Sequence, residues 1–218
     1  MSRARCYAAE GFAVVAIDAP NYGDRPRDGE FGRIAAEMRA GVAAGRNPGA
    51  LVAGMYSYLA SQAVVDWQAV LTAVQRLGHV GVGPVGYCGM SMVCGLGIPL
   101  IAAEPRVRVA VLGLLGVRGL TEDAARITVP VQFLVQWGDQ LVLRDQCLAL
   151  FGALASAEKT LHANPGRHGD VPSFEVDSSL RFFARHLSWH ERTVPGALAG
   201  SRSRPARSVR TVRLGPGG

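Results

Sequence analysis

Val82–Gly95 reads VGPVGYCGMSMVCG, and the fold turns on these residues. Val80 to Tyr87 is a short apolar run, which predicts a buried strand. The segment from Met92 towards Ala103 is predicted as a helix. Ser91 falls between the two, directly after the strand and among glycines that permit a tight reversal of the chain.

A hydroxyl residue on a sharp strand-to-helix turn is the context of the G-x-S-x-G nucleophile elbow. The elbow projects the serine oxygen from the carboxyl end of a sheet and turns the next backbone N–H, here that of Met92, towards a developing oxyanion. Gly89 supplies the small residue two positions before Ser91. Two positions after it stands Val93 instead of glycine, and the next glycine is Gly95. Two other readings stay open. Cys88, in Gly86-Tyr87-Cys88, is a competing nucleophile, although Met90 stands where its own elbow needs glycine. The segment also reads as a structural turn with no chemistry.

Outward from the elbow, Phe12–Ile17 (FAVVAI) predicts another buried parallel strand, closed by the loop DAPNYGDRP at Asp18–Pro26. Residues 30–58 are rich in alanine and glycine, break at Asn47-Pro48-Gly49, and suit a helical excursion over one end of a sheet. Ala63, Trp67, Val70, Val74 and Leu77 recur at helical spacing, with Gly78 where a C-cap belongs. Further strands are predicted at Val107–Leu115, Val131–Gln136 and Lys159–His162. Helices are predicted at Cys147–Leu154 and over the positions Val176, Leu180, Phe183 and Leu187. This βαβ alternation implies an α/β fold with a mostly parallel sheet covered by helices on both faces. The predicted domain is 1–187, and 188–218 is expected to be a disordered basic tail without hydrophobic periodicity.

GYCGMSM, with GIPLIAAEPRV at Gly97–Val107, resembles the elbow and following helix of bacterial α/β-hydrolases related to dienelactone hydrolases and small esterases. The resemblance runs from about Ala8 to Leu187. It implies a nucleophile, acid and histidine in that chain order. Asp139 lies past the strand ending at Gln136, placed to orient an imidazole. Taken alone, Gly138-Asp139 also reads as a simple turn. Asp145 and Asp170 fit less well, since neither directly follows a strand. His168 lies in the loop HANPGRHGDVP before the last helix, where a general base reaches the elbow. His79, His162, His186 and His190 fall in or beside other elements. The resemblance points to Asp139 and His168 as well. It also implies three strands before Phe12, and the eleven residues there leave no room for them. The sheet is therefore expected to be incomplete at its N-terminal side. With the family's second oxyanion loop absent, Met92 is the donor expected to remain, and activity is expected to be weak. The Phe12 strand is expected to move beside the Val82–Tyr87 strand, or else to belong to a longer, truncated protein.

The resulting expectation is a serine hydrolase of ester, lactone or thioester bonds acting through an acyl-enzyme. Its rival is an impaired or non-catalytic relative, a reading that Val93 supports. No cofactor is expected: no His/Cys/Asp group has metal-ligand spacing, and the glycines at Gly81 and Gly83 do not make a dinucleotide motif.

The charge of +6 does not argue for nucleic acid, because +5 of it falls after Leu187 and the domain is nearly neutral. Four cysteines without C-x-x-C spacing fit reduced thiols in a cytoplasmic protein. The best apolar run, VAVLGLLGV from Val109, is far short of the ~20 residues of a membrane span. The expected partner is a small ester-like substrate, and no pattern specifies an oligomeric state.

Overall fold

The computed structural model describes residues 3–45, 48–187 and 212–213. In chain order its elements are α1 (Arg3–Ala9), β1 (Val15–Ala16), α2 (Gly29–Ala43), α3 (Pro48–Gln75), β2 (Val85–Met90), α4 (Met92–Ala103), β3 (Val107–Gly113), α5 (Thr121–Ala124), β4 (Val131–Gln136), α6 (Arg144–Ala153), β5 (Lys159–Asn164), α7 (Phe174–Leu187) and β6 (Val212–Arg213). Contacts divide the chain into two units, and Asp18–Leu187 is the larger.

In that unit β2, β3, β4 and β5 form a wholly parallel sheet in this order. The two central strands carry its interior: Val109, Ala110, Val111, Leu112, Phe133 and Leu134 are all fully buried. Side chains along a strand alternate between faces, and β2 shows what covers each one. A Cβ on Gly86 would lie 2.8 Å from the Phe183 ring of α7, whereas the neighbouring Tyr87 ring packs on Gly97 of α4. Helices therefore cover both faces of the sheet, as the apolar strands require. Parallel strands also bring their carboxyl ends to one edge, so the loops after β2, β3, β4 and β5 gather there.

Several element bounds move. The predicted helix at Ala63 is the second half of a 28-residue helix, α3, which takes in the end of the excursion as well. Pro48 opens it at a position where the missing N–H costs nothing. The strand predicted to end at Tyr87 continues to Met90, and β5 continues to Asn164.

The expectation for Phe12–Ile17 is corrected. Only Val15–Ala16 is strand, neither residue is buried, and the pair lies parallel to Val212–Arg213 rather than beside β2. A two-faced apolar strand stays buried only with sheet neighbours and helices around it, and a two-residue partner gives little of either. The expected tail lies outside the described residues except at Val212–Arg213, which pair with Val15–Ala16.

Candidate active site

Ser91 stands between β2 and α4 with φ 53° and ψ −124°. Such a conformation costs a non-glycine residue about 1–3 kcal/mol and persists only where its surroundings impose it. The Ser91 N–H donates to the Gly113 carbonyl at 2.9 Å, which ties the turn to the end of β3. Gly89 is required by close approach, since a Cβ there would sit 2.8 Å from the Val93 carbonyl. Val93 is tolerated because its side chain is 40% exposed. The close contacts a glycine would make there occur instead at Gly95 and Gly97, where a Cβ would run into the rings of Tyr56 and Tyr87. Met92 is the first residue of α4, so its N–H has no carbonyl four residues back within the helix. Cys88 lies inside β2 in register with Val111 and does not line the cavity beside Ser91.

The structure brings Ser91, Asp139 and His168 together. Nδ1 of His168 lies 2.6 Å from Asp139 Oδ2, and Nε2 lies 2.9 Å from Ser91 Oγ. An ionised carboxylate only accepts, so the shared proton sits on Nδ1 and leaves Nε2 free to accept from the serine hydroxyl. The Asp139 side chain is 3% exposed. Burial pushes its carboxyl upward, but hydrogen bonds from His168 and from the N–H groups of Leu141 and Val142 outweigh burial and hold it below its ordinary value. The other candidates are placed differently. His162 bonds the buried Glu175 at 2.8 Å, Asp145 is in the first turn of α6, and Asp170 accepts the Arg167 N–H at 3.1 Å.

Two glutamines that sequence reasoning missed flank the acid. Gln136, the fully buried last residue of β4, donates from Nε2 to the Arg167 carbonyl at 3.0 Å. Gln140 accepts the His168 N–H on Oε1 at 3.2 Å. The Arg167–His168 peptide is thus held at both polar ends, by the end of β4 and by the loop that carries Asp139. An amide in a strand flanked by Val and Trp was the available signal, since buried glutamine is uncommon.

A cavity of about 880 Å³ opens beside Ser91 and His168. Its walls are largely apolar: Val52 and Tyr56 of α3, Leu115 and Val117 after β3, and Leu141–Leu143 after β4, with Arg118 at an exposed position. The excursion therefore furnishes one wall through α3. Among the described residues, no group of three or more His, Cys, Asp or Glu is arranged to hold a metal. No described helix is long and apolar enough to cross a membrane. All four cysteines are free thiols.

Solved structures of a cold-adapted esterase from an Arctic intertidal metagenomic library are similar to this chain. Its polyethylene glycol complex is 33% identical, covers 79% of this chain and 68% of its own, and superposes with a TM-score of 0.61. The chain belongs to the α/β-hydrolase superfamily. A zinc-bound structure of the same description is 35% identical, with a TM-score of 0.57, and this α/β-hydrolase spans 63% of its length. An acetyl xylan esterase from Paenibacillus sp. R4, 16% identical at a TM-score of 0.52, shares the fold. No family model and no curated protein matches this α/β-hydrolase.

Proposed function

We propose that this α/β-hydrolase cleaves an ester-like bond, in an ester, lactone or thioester, through a covalent acyl-enzyme on Ser91. The observation that carries this reading is the His168 ring bridging Asp139 at 2.6 Å and Ser91 at 2.9 Å. His168 Nε2 removes the hydroxyl proton as Ser91 Oγ bonds the substrate carbonyl carbon, and the electron pair of the C=O moves onto oxygen. The Met92 N–H faces that oxygen. Collapse expels the alcohol or thiol, which takes the proton from His168. Water, activated by the same nitrogen, then releases the acid. Similarity to a named esterase at 33% identity supports the ester class.

A fluorophosphonate probe tests the reading. The folded chain is expected to be labelled once, on Ser91, and Ser91→Ala is expected to take no label. A cooperatively folded wild-type chain that stays unlabelled favours a non-catalytic relative instead.

The two glutamines give a second expected outcome. Gln136→Met preserves volume and removes the donor to the Arg167 carbonyl, so the histidine loop loses one of the hydrogen bonds that tie it to the end of β4 and the loop after it. Misplacement of a reacting group by about 1 Å costs on the order of 10²-fold. A partial version is expected here: kcat for p-nitrophenyl acetate falls about 10-fold while KM stays nearly constant. A change in KM alone would show that Gln136 serves binding or packing rather than His168.

A further inference from the structure

We propose that the Tyr56 hydroxyl is a catalytic donor, giving a hydrogen bond to the carbonyl oxygen of the ester as Ser91 attacks. This inference rests on the esterase reading of the Ser91 cavity and deepens it. Tyr56 belongs to α3, is only 7% exposed, and lines the same cavity as Ser91 and His168. Among the described residues its hydroxyl has no hydrogen-bond partner. A buried tyrosine ordinarily satisfies its O–H, because an apolar site with no acceptor is costly. The Tyr56 oxygen is not sealed in the core as an orphan atom either. Its acceptor is therefore to be sought in what occupies the cavity.

The position of the ring supports the same conclusion. Tyr56 packs on Gly95, where any Cβ would collide with the edge of the ring that leads to the hydroxyl. Gly95 lies four residues after Ser91, and its N–H bonds the Ser91 carbonyl at 3.2 Å, so the two share one face of α4. One helical turn of about 6 Å separates them. Burial pushes the Tyr56 phenol up to about 12, which keeps it a protonated donor.

The chemistry balances without moving the phenolic proton. The serine proton goes to His168 and returns to the leaving group, while the oxyanion accepts hydrogen bonds from the Met92 N–H and the Tyr56 O–H. A donor aimed at that oxygen strengthens its bond as charge develops, which lowers the barrier rather than tightening ground-state binding.

Tyr56→Phe in the full chain tests this, because it removes one oxygen and keeps the ring on Gly95. With p-nitrophenyl acetate, kcat is expected to fall about 100-fold, with KM within about twofold, since uniform binding is untouched. The melting temperature is expected to hold or rise, because no protein hydrogen bond is lost. Fluorophosphonate labelling of Ser91 in the variant shows that the site is still assembled. Turnover equal to wild type, or a change confined to KM, overturns the donor role while leaving the esterase reading intact. A folded wild-type chain that neither labels nor turns over overturns both.

Discussion

Ser91→Ala is expected to lower hydrolysis of p-nitrophenyl esters by about 10⁶-fold in kcat, to the level that binding and the remaining oxyanion donors sustain. The size follows from the way the three groups act as one unit. Without Oγ, His168 has no proton to take and no covalent step exists. Cys88→Ser serves as the contrasting variant. Cys88 sits within β2, paired in register with Val111, and is separated from the cavity lining. Its replacement is expected to leave most of the rate, and single-turnover rates in the two variants decide between the frames. The reverse pattern would mean that the strand end, not the strained turn, carries the nucleophile.

Asp139→Asn is expected to reduce kcat by about 10⁴-fold with little change in KM. The amide keeps the shape of the carboxylate. However, Oδ1 of Asp139 is fixed by N–H groups from Leu141 at 2.8 Å and Val142 at 3.0 Å. An asparagine satisfies those two donors with its oxygen and so turns its NH₂ towards His168. That forces the imidazole proton onto Nε2 and removes the acceptor that Ser91 needs. The same carboxylate makes stability depend on acidity. Its pKa in the folded chain lies below the ordinary 3.8. Its contribution is therefore fully present above the unfolded value and is lost as pH falls through the lower folded value. Asp139→Asn is expected to flatten that acid limb of a melting-temperature profile, and an unchanged limb would refute the assignment.

The elbow was legible because strand, glycine and helix signals converge within a few residues around Ser91. Asp139 and His168 were legible as residues that follow late strands, although their meeting depends on register: Gln136 pairs with Asn164, which brings the two following loops side by side. Position in sequence carries no such alignment. Cysteine burial was less readable, since Cys94 is pushed up to about 12 by its packing and not by anything in its neighbouring residues. The excursion was misjudged in extent because alanine-rich segments lack a polar face, and periodicity fades where a helix is covered on more than one side. The Phe12–Ile17 run failed for a different reason. Its composition states what it would bury, but only strand partners decide whether it does.

Helix α3 joins two tasks in one rigid rod about 42 Å long. Its early residues Val52 and Tyr56 face the substrate space, while Leu71 and Val74 near its other end are buried. Arg106, at the foot of β3, grips that far end through the Gln68 carbonyl at 3.2 Å and the Thr72 hydroxyl at 3.1 Å. Cavity wall and foundation thus share a single beam. Reshaping the mouth by inserting or deleting residues between Tyr56 and Gln68 would rotate the wall by about 100° per residue while the anchored end stayed in place. Changes in the shape of the cavity along this route are expected as whole-turn replacements or as single side-chain swaps, and seldom as loop-length drift.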